Sequence, residues 1–159
     1  MAPGAETQLT SSIARRFVDA LRAVENDGDP EGMAALAGTG TRWTSSGAAQ
    51  ASTGPEGARE FWDAYGRAYA DITSHFTTVT ETDSRAVLEW VSTGHHHDGQ
   101  PVRYVGVTVL DLDDSGVGDV RLYFDTTAAR AVATSGATAA DDMLDDATAA
   151  SGRNSGLAP

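Results

Sequence analysis

Val102-Arg103-Tyr104-Val105-Gly106-Val107-Thr108-Val109-Leu110-Asp111-Leu112 is the stretch that decides the fold. β-Branched and aromatic residues dominate it, a composition that suits a pleated strand. Split by parity, one face carries Tyr104, Gly106, Thr108, Leu110 and Leu112. The other carries Val105, Val107 and Val109, flanked by Arg103 and Asp111. An antiparallel strand with one wet face alternates apolar with polar residues; here both faces are largely apolar. The preceding strand repeats the pattern, with Leu88 and Trp90 on one face and Val87 and Val91 on the other. Helices can cover one face of such a sheet. For the second face the simplest cover is another copy of the same sheet, so a homodimer through the sheet is expected. The alternative is that the C-terminal segment folds back over it.

Working outward, strand-like segments run from Ile72 to Thr82, Arg85 to His96 and Asp119 to Thr126. The junctions Asp83-Ser84, Asp98-Gly99-Gln100-Pro101 and Asp113-Asp114-Ser115-Gly116 are turn chemistry, so the four strands form an antiparallel meander. Upstream, Thr53 and Glu56 have capping-box spacing ahead of a helix whose stripe is Ala58, Phe61, Trp62, Tyr65 and Tyr69. Before it, Gly38 to Gly40 break the chain, and Thr41 to Ser45 form a short strand carrying Trp43. The first helix starts at Ser11, aligns Ile13, Phe17, Leu21 and Val24, and stops at Asn26-Asp27-Gly28. Asp29 caps a second, short helix with Pro30 at its first position and Met33 and Leu36 inward. Residues 1–10 read as a flexible leader, 11–128 as the domain, and 129–159 as a disordered, acidic Ala/Thr/Gly-rich tail.

The 159 residues suit one domain, and the absence of cysteine excludes disulfides and thiolate chemistry. A formal charge of −12 repels phosphate backbones and anionic bilayers, so neither nucleic acid nor membrane is an expected partner. No apolar run approaches the roughly 20 residues that cross a bilayer. The N-terminus lacks a basic stretch followed by an apolar one, so the expected location is cytoplasmic. All eleven basic residues are arginine, which with abundant Ala, Gly, Thr and Asp suggests a GC-rich bacterial genome or a salt-adapted source.

The order helix, short helix, strand, long helix and four antiparallel strands carries a family resemblance. So do Gly28-Asp29-Pro30-Glu31-Gly32, Thr53-Gly54-Pro55-Glu56-Gly57, Gly106-Val107-Thr108 and Arg121-Leu122-Tyr123-Phe124-Asp125. Over residues 11–128 the chain resembles the SnoaL-like branch of the nuclear-transport-factor-2-like superfamily. The resemblance implies an α+β fold, a curved antiparallel sheet wrapped round a long helix, with a cone-shaped small-molecule pocket. Members include polyketide cyclases, ketosteroid isomerase, limonene-type epoxide hydrolases, dehydratases and proteins without chemistry, so fold alone does not give function.

Carried over residue by residue, the resemblance does not supply the family's carboxylates. The hydrolase and cyclase aspartate of the last strand falls at Leu122. The hydrolase Arg and Asp fall at Trp90 and Ser92, and its Tyr and Asn at Trp43 and Ser45. The isomerase's oxyanion-stabilising Asp falls at Thr108, and its base at Thr44 or Ser45. The expected ligand-binding residues are therefore Trp43, Phe61, Trp62, Tyr65, Trp90, Ser92, Thr108 and Leu122. The catalytic candidates are His96, Tyr104 and, as a reserve base, Asp125, although parity sets Asp125 on the face opposite Leu122 and Phe124. His95 and His97 share a face beside Asp98, a pattern of weak metal sites. Their place at an exposed hairpin reads instead as a solvated turn, so no metal and no cofactor are expected. Two readings stand open. One is a cofactor-independent cyclase, isomerase, dehydratase or hydrolase acting on a small hydrophobic, polyketide-like molecule. The other is a non-catalytic ligand-binding or dimerisation module.

Overall fold

Ser11 opens the first helix, its hydroxyl accepting the Ala14 N–H at 3.2 Å. In this computed structural model, which describes residues 4–131, α1 spans Ser12–Asp27 and buries Ala14, Phe17, Val18, Leu21 and Val24. Gly28 closes it in the left-handed region at φ 67°, where a side chain would be strained. The Asp29 carboxylate then accepts the Glu31 N–H at 2.9 Å, and α2 follows over Glu31–Leu36.

The strands are β1 (Ala37–Ser45), β2 (Ser52–Thr53), β3 (Asp71–Thr82), β4 (Arg85–His95), β5 (Pro101–Asp113) and β6 (Gly116–Phe124). The long helix α3 (Gly54–Arg67) follows β2, and α4 (Thr126–Ala131) follows β6. They make one curved, unclosed six-stranded sheet in the order β2-β1-β6-β5-β4-β3. β3 to β6 form the antiparallel meander, and β1 joins β6 in parallel. The α+β architecture and the meander follow from the sequence pattern, but local details differ. α3 ends at Arg67, so Tyr69 lies just past it instead of on its stripe. β1 starts at Ala37 rather than Thr41, because the glycines sit in a register shift between Ala37 and Arg42 instead of breaking the strand. The Thr53 side chain makes no capping bond, so the capping box does not close; Glu56 pairs with Arg59 at 3.1 Å instead. Residues 4–10, read as a loose leader, pack. Ala5–Gln8 form a 3₁₀ turn, Leu9 is 1% exposed in the core, and the Thr10 N–H and hydroxyl donate to Glu81 at 2.7 and 2.8 Å. The tail from residue 132 onward lies outside the described residues.

The core fills the space between the helices and the inner sheet face, where Leu88, Trp90, Tyr104, Thr108, Leu110, Val120 and Leu122 are buried. On the outer face Val105 and Tyr123 are 51% and 52% exposed, while Val87, Val91, Val107 and Val109 are half-buried. The register sets Val91 beside Val105, Val87 beside Val109 and Val107 beside Tyr123, a strip that is continuous along β5 and interrupted on β4 by the exposed Glu89 opposite Val107. Asp111 borders it, bound by Arg121 at 2.6 Å and Arg85 at 2.7 Å; the Arg121 hydrogen bond is the main reason its pKa drops to about 2.

Candidate functional site

Register builds a cavity of about 480 Å³ between α3 and the inner sheet face. Across β3, β4 and β5 the residues Ser74, Ser92 and Tyr104 stand in one row. The next row is Phe76, Trp90, Gly106 and Phe124, and beyond it Leu88, Thr108 and Leu122 align. One row is therefore hydroxyl-bearing and the next aromatic. α3 supplies the facing wall through Phe61, Trp62 and Tyr65, residues that helical spacing brings to one side, and Tyr69, just past the helix end, extends it.

Trp90 lies flat because its neighbour is Gly106. A Cβ on Gly106 would overlap the indole and the Tyr123 carbonyl. The indole N–H donates to the Thr108 hydroxyl at 2.9 Å, and its ring meets Tyr104 edge-on at 5.5 Å between centroids. Trp62 is 1% exposed at the centre of an aromatic cluster, packed edge-on against Phe17, Trp43, Phe61 and Tyr65.

Behind the hydroxyl row sits a carboxylate. The Glu25 side chain is 1% exposed. Its Oε1 accepts the Tyr65 hydroxyl at 3.1 Å and the Ser74 N–H at 2.9 Å, and its Oε2 accepts Arg22 at 2.9 Å. The Ser74 and Ser92 hydroxyls share a hydrogen bond of 2.8 Å. Burial, then the Glu25 charge, push the Tyr65 phenol well above its ordinary pKa. Burial is also the main reason that Tyr104 is raised. Both phenols therefore stay protonated near neutrality.

Of the residues expected at the site, Phe61, Trp62, Tyr65, Trp90, Tyr104, Thr108 and Leu122 line the cavity together. Four do not. Trp43 is buried behind Trp62, its N–H given to the Gly54 carbonyl at 3.2 Å. Ser92 is buried beneath the wall, between Ser74, whose hydroxyl it bonds, and Tyr104 in the register. His96 is buried against the Tyr69 ring at the hairpin, its Nε2 without a hydrogen-bond partner. Asp125 is exposed, and its carboxylate accepts the Thr127 and Ala128 N–H groups at 2.8 and 3.2 Å, capping α4. It is no pocket base, because strand parity turns it away from Leu122. The hairpin histidines are occupied as well. His95 bonds Asp71 at 3.0 Å, and His97 donates to the Arg67 carbonyl at 2.9 Å. Among the described residues no group of three His, Cys, Asp or Glu is arranged to hold a metal. Glu25, Tyr69 and Ser74 are the members that sequence reasoning missed.

The SnoaL-like domain model matches residues 14–117. The chain belongs to the SnoaL-like domain family. No curated protein matches it. Among solved structures, TerC co-crystallised with polyporic acid superposes on this SnoaL-like domain with a TM-score of 0.66. The identity is 18%, over 77% of this chain and 98% of TerC. An NTF2-like protein of unknown function from Burkholderia pseudomallei gives a TM-score of 0.69 at 17% identity, over 79% of this chain and all (100%) of that one. An LEH-like epoxide hydrolase from M. tuberculosis gives 0.57 at 15% identity, over 74% and 86%. At such identities the likeness is one of fold. No helix among the described residues of this SnoaL-like domain is long and apolar enough to cross a membrane.

Proposed function

We propose that this SnoaL-like domain binds a small, flat, hydrophobic molecule of polyketide-like type between Trp90 and the aromatic face of α3. The observation that carries the reading is the cavity itself, about 480 Å³ with aromatic rings on both walls and the Ser74 and Tyr104 hydroxyls facing it from one row of the sheet. That is the form of a small-molecule site: apolar walls with a few placed polar groups. TerC, crystallised with polyporic acid, supports it by analogy of fold. Native mass spectrometry of freshly purified protein should show a retained small molecule. Failing that, millimolar flat aromatic probes should change the tryptophan fluorescence. The absence of both a retained mass and a fluorescence response would sink the reading.

A second reading, a cofactor-independent cyclase, isomerase, dehydratase or hydrolase, is favoured by one observation. The buried Glu25 carboxylate is joined to the cavity wall through Tyr65. Against it, the lining's one carboxylate among the described residues, Glu60, is exposed at the cavity rim. The composition supports a bacterial cytoplasmic setting for either.

The outer strip of Val87, Val91, Val105, Val107, Val109 and Tyr123 supports a homodimer through the sheet. Fully burying an exposed side chain of this kind is worth roughly 1.5–3 kcal/mol, and each member of the strip gains the share that its exposed part represents. Val107→Arg, in the middle of the strip, should give monomer or insoluble protein. A wild type that sediments as a monomer at micromolar concentration would remove the dimer.

A further inference from the structure

The hydroxyl row has a direction. Tyr65 lines the cavity, and its one hydrogen is already given to Glu25 Oε1 at 3.1 Å. Glu25 is not free to turn. Its other oxygen is held by Arg22, and Arg22 is itself fixed by the Ser74 carbonyl, by Glu6 at 3.2 Å and by the face of Phe76. The Ser74 N–H holds Oε1 from the far side. Rotating the phenol to aim its hydrogen into the cavity would set its lone pairs against a carboxylate and forfeit a charge-assisted bond. The Ser74 hydroxyl also stands at the phenolic oxygen, so one lone pair faces Ser74 and the other is what Tyr65 retains for a ligand.

We propose that this end of the cavity reads a hydrogen-bond donor, so that the ligand carries a phenolic or enolic hydroxyl which it gives to Tyr65 Oη. The inference rests on the binding reading above and narrows it to a hydroxylated aromatic or enol. Glu25 acts as a positioning residue: it never touches the ligand but fixes the polarity of the group that does. A phenol or enol answers this demand. A ketone, a quinone lacking a hydroxyl, or a methyl ether offers only acceptors and meets Tyr65 lone pair to lone pair. A pocket built to hydrogen-bond a hydroxyl discriminates against the analogue lacking it, because the pocket group is then left unpaired.

The test is a matched pair of probes, 2-naphthol and 2-methoxynaphthalene, titrated by calorimetry against the full chain. 2-Naphthol is expected to bind about tenfold more tightly, the ratio that one good hydrogen bond produces. Tyr65→Phe keeps the ring and removes the acceptor, so it should bring the two probes to equal affinity. Glu25→Ala takes the acceptor away and frees the phenolic hydrogen for the cavity; the preference should vanish or reverse in favour of the ether. If Glu25→Ala does not fold, Tyr65→Phe alone decides. A merely structural role for either residue would weaken both probes alike and leave their ratio unchanged. Equal binding of both probes to the wild type, or a ratio that survives Tyr65→Phe, would overturn the proposal while leaving the binding reading intact. Failure of both probes to bind at millimolar concentration would overturn the two together.

Discussion

Trp62→Ala is expected to lower unfolding stability by about 3–5 kcal/mol, the usual range for deleting a buried indole. Trp62 is the residue through which α3 is keyed to the rest of the core. Its ring meets Phe17 of α1 at 5.8 Å, Trp43 of β1 at 6.1 Å, and Phe61 and Tyr65 of its own helix at 5.2 and 5.5 Å. All four contacts are edge-on, and such pairs add roughly 0.5–1.5 kcal/mol each beyond area burial. No single neighbour can relax into the space, because each belongs to a different element or is pinned along the helix. Trp62→Phe provides the contrast. The Trp62 N–H is buried without a hydrogen-bond partner, so its removal leaves no acceptor unpaired and offsets part of the lost volume. The phenylalanine variant should lose about half as much or less. Urea unfolding of both variants checks this. A loss below about 1.5 kcal/mol for the alanine variant would show that the cluster tolerates a void and that α3 is held elsewhere.

The two tryptophans of the cavity were legible for different reasons than its polar end. Phe61, Trp62 and Tyr65 recur at helical spacing, so their shared face follows from period alone, whereas Tyr69 reaches the cavity from beyond the helix end. Trp90, Thr108 and Leu122 follow from parity, since each shares a face with a residue that has to be buried, such as Leu88 or Leu110. The same parity set Asp125 outside, where it caps α4. Glu25 offered no such handle. On α1 it stands between Val24 and Asn26 and reads as a solvated charge near a helix end. What buries it is tertiary: the Ser74 N–H comes from β3 and the Tyr65 hydroxyl from α3. Ser74 was passed over because a serine between Ile72 and Phe76 looks like a weak strand position. Its role depends on Ser92 standing opposite in the register. The parallel pairing of β1 with β6 was likewise unreadable, because nothing local distinguishes an edge strand that pairs in parallel from one that turns back. Hydrophobic period thus reports faces, while contacts between charged or polar groups distant in sequence are reported by neither period nor composition.

Trp90→Ala is expected to act twice, on stability by about 3–5 kcal/mol and on ligand affinity by about 1–3 kcal/mol. The indole is buried in the apo fold and also forms cavity wall. Its orientation is fixed from three sides. The N–H is given to Thr108, the edge of Tyr104 packs against it, and the missing side chain of Gly106 lets it lie against β5. A ring so held needs no ordering when a flat ligand stacks on it, and such pre-organisation favours affinity. Two companions separate wall from filler. Trp90→Phe keeps an aromatic face and gives up only the bond to Thr108, so ligand affinity should fall less than stability. Gly106→Ala leaves the indole in the chain but drives it off β5, at a cost of about 1–3 kcal/mol for overpacking, and should weaken binding as Trp90→Ala does. Stability is read from urea unfolding and affinity from calorimetry with 2-naphthol. If Trp90→Ala and Gly106→Ala both destabilise the fold while affinity holds, the indole is core alone. The ligand wall would then belong to Phe61 and Tyr65 on α3, which line the cavity opposite the sheet.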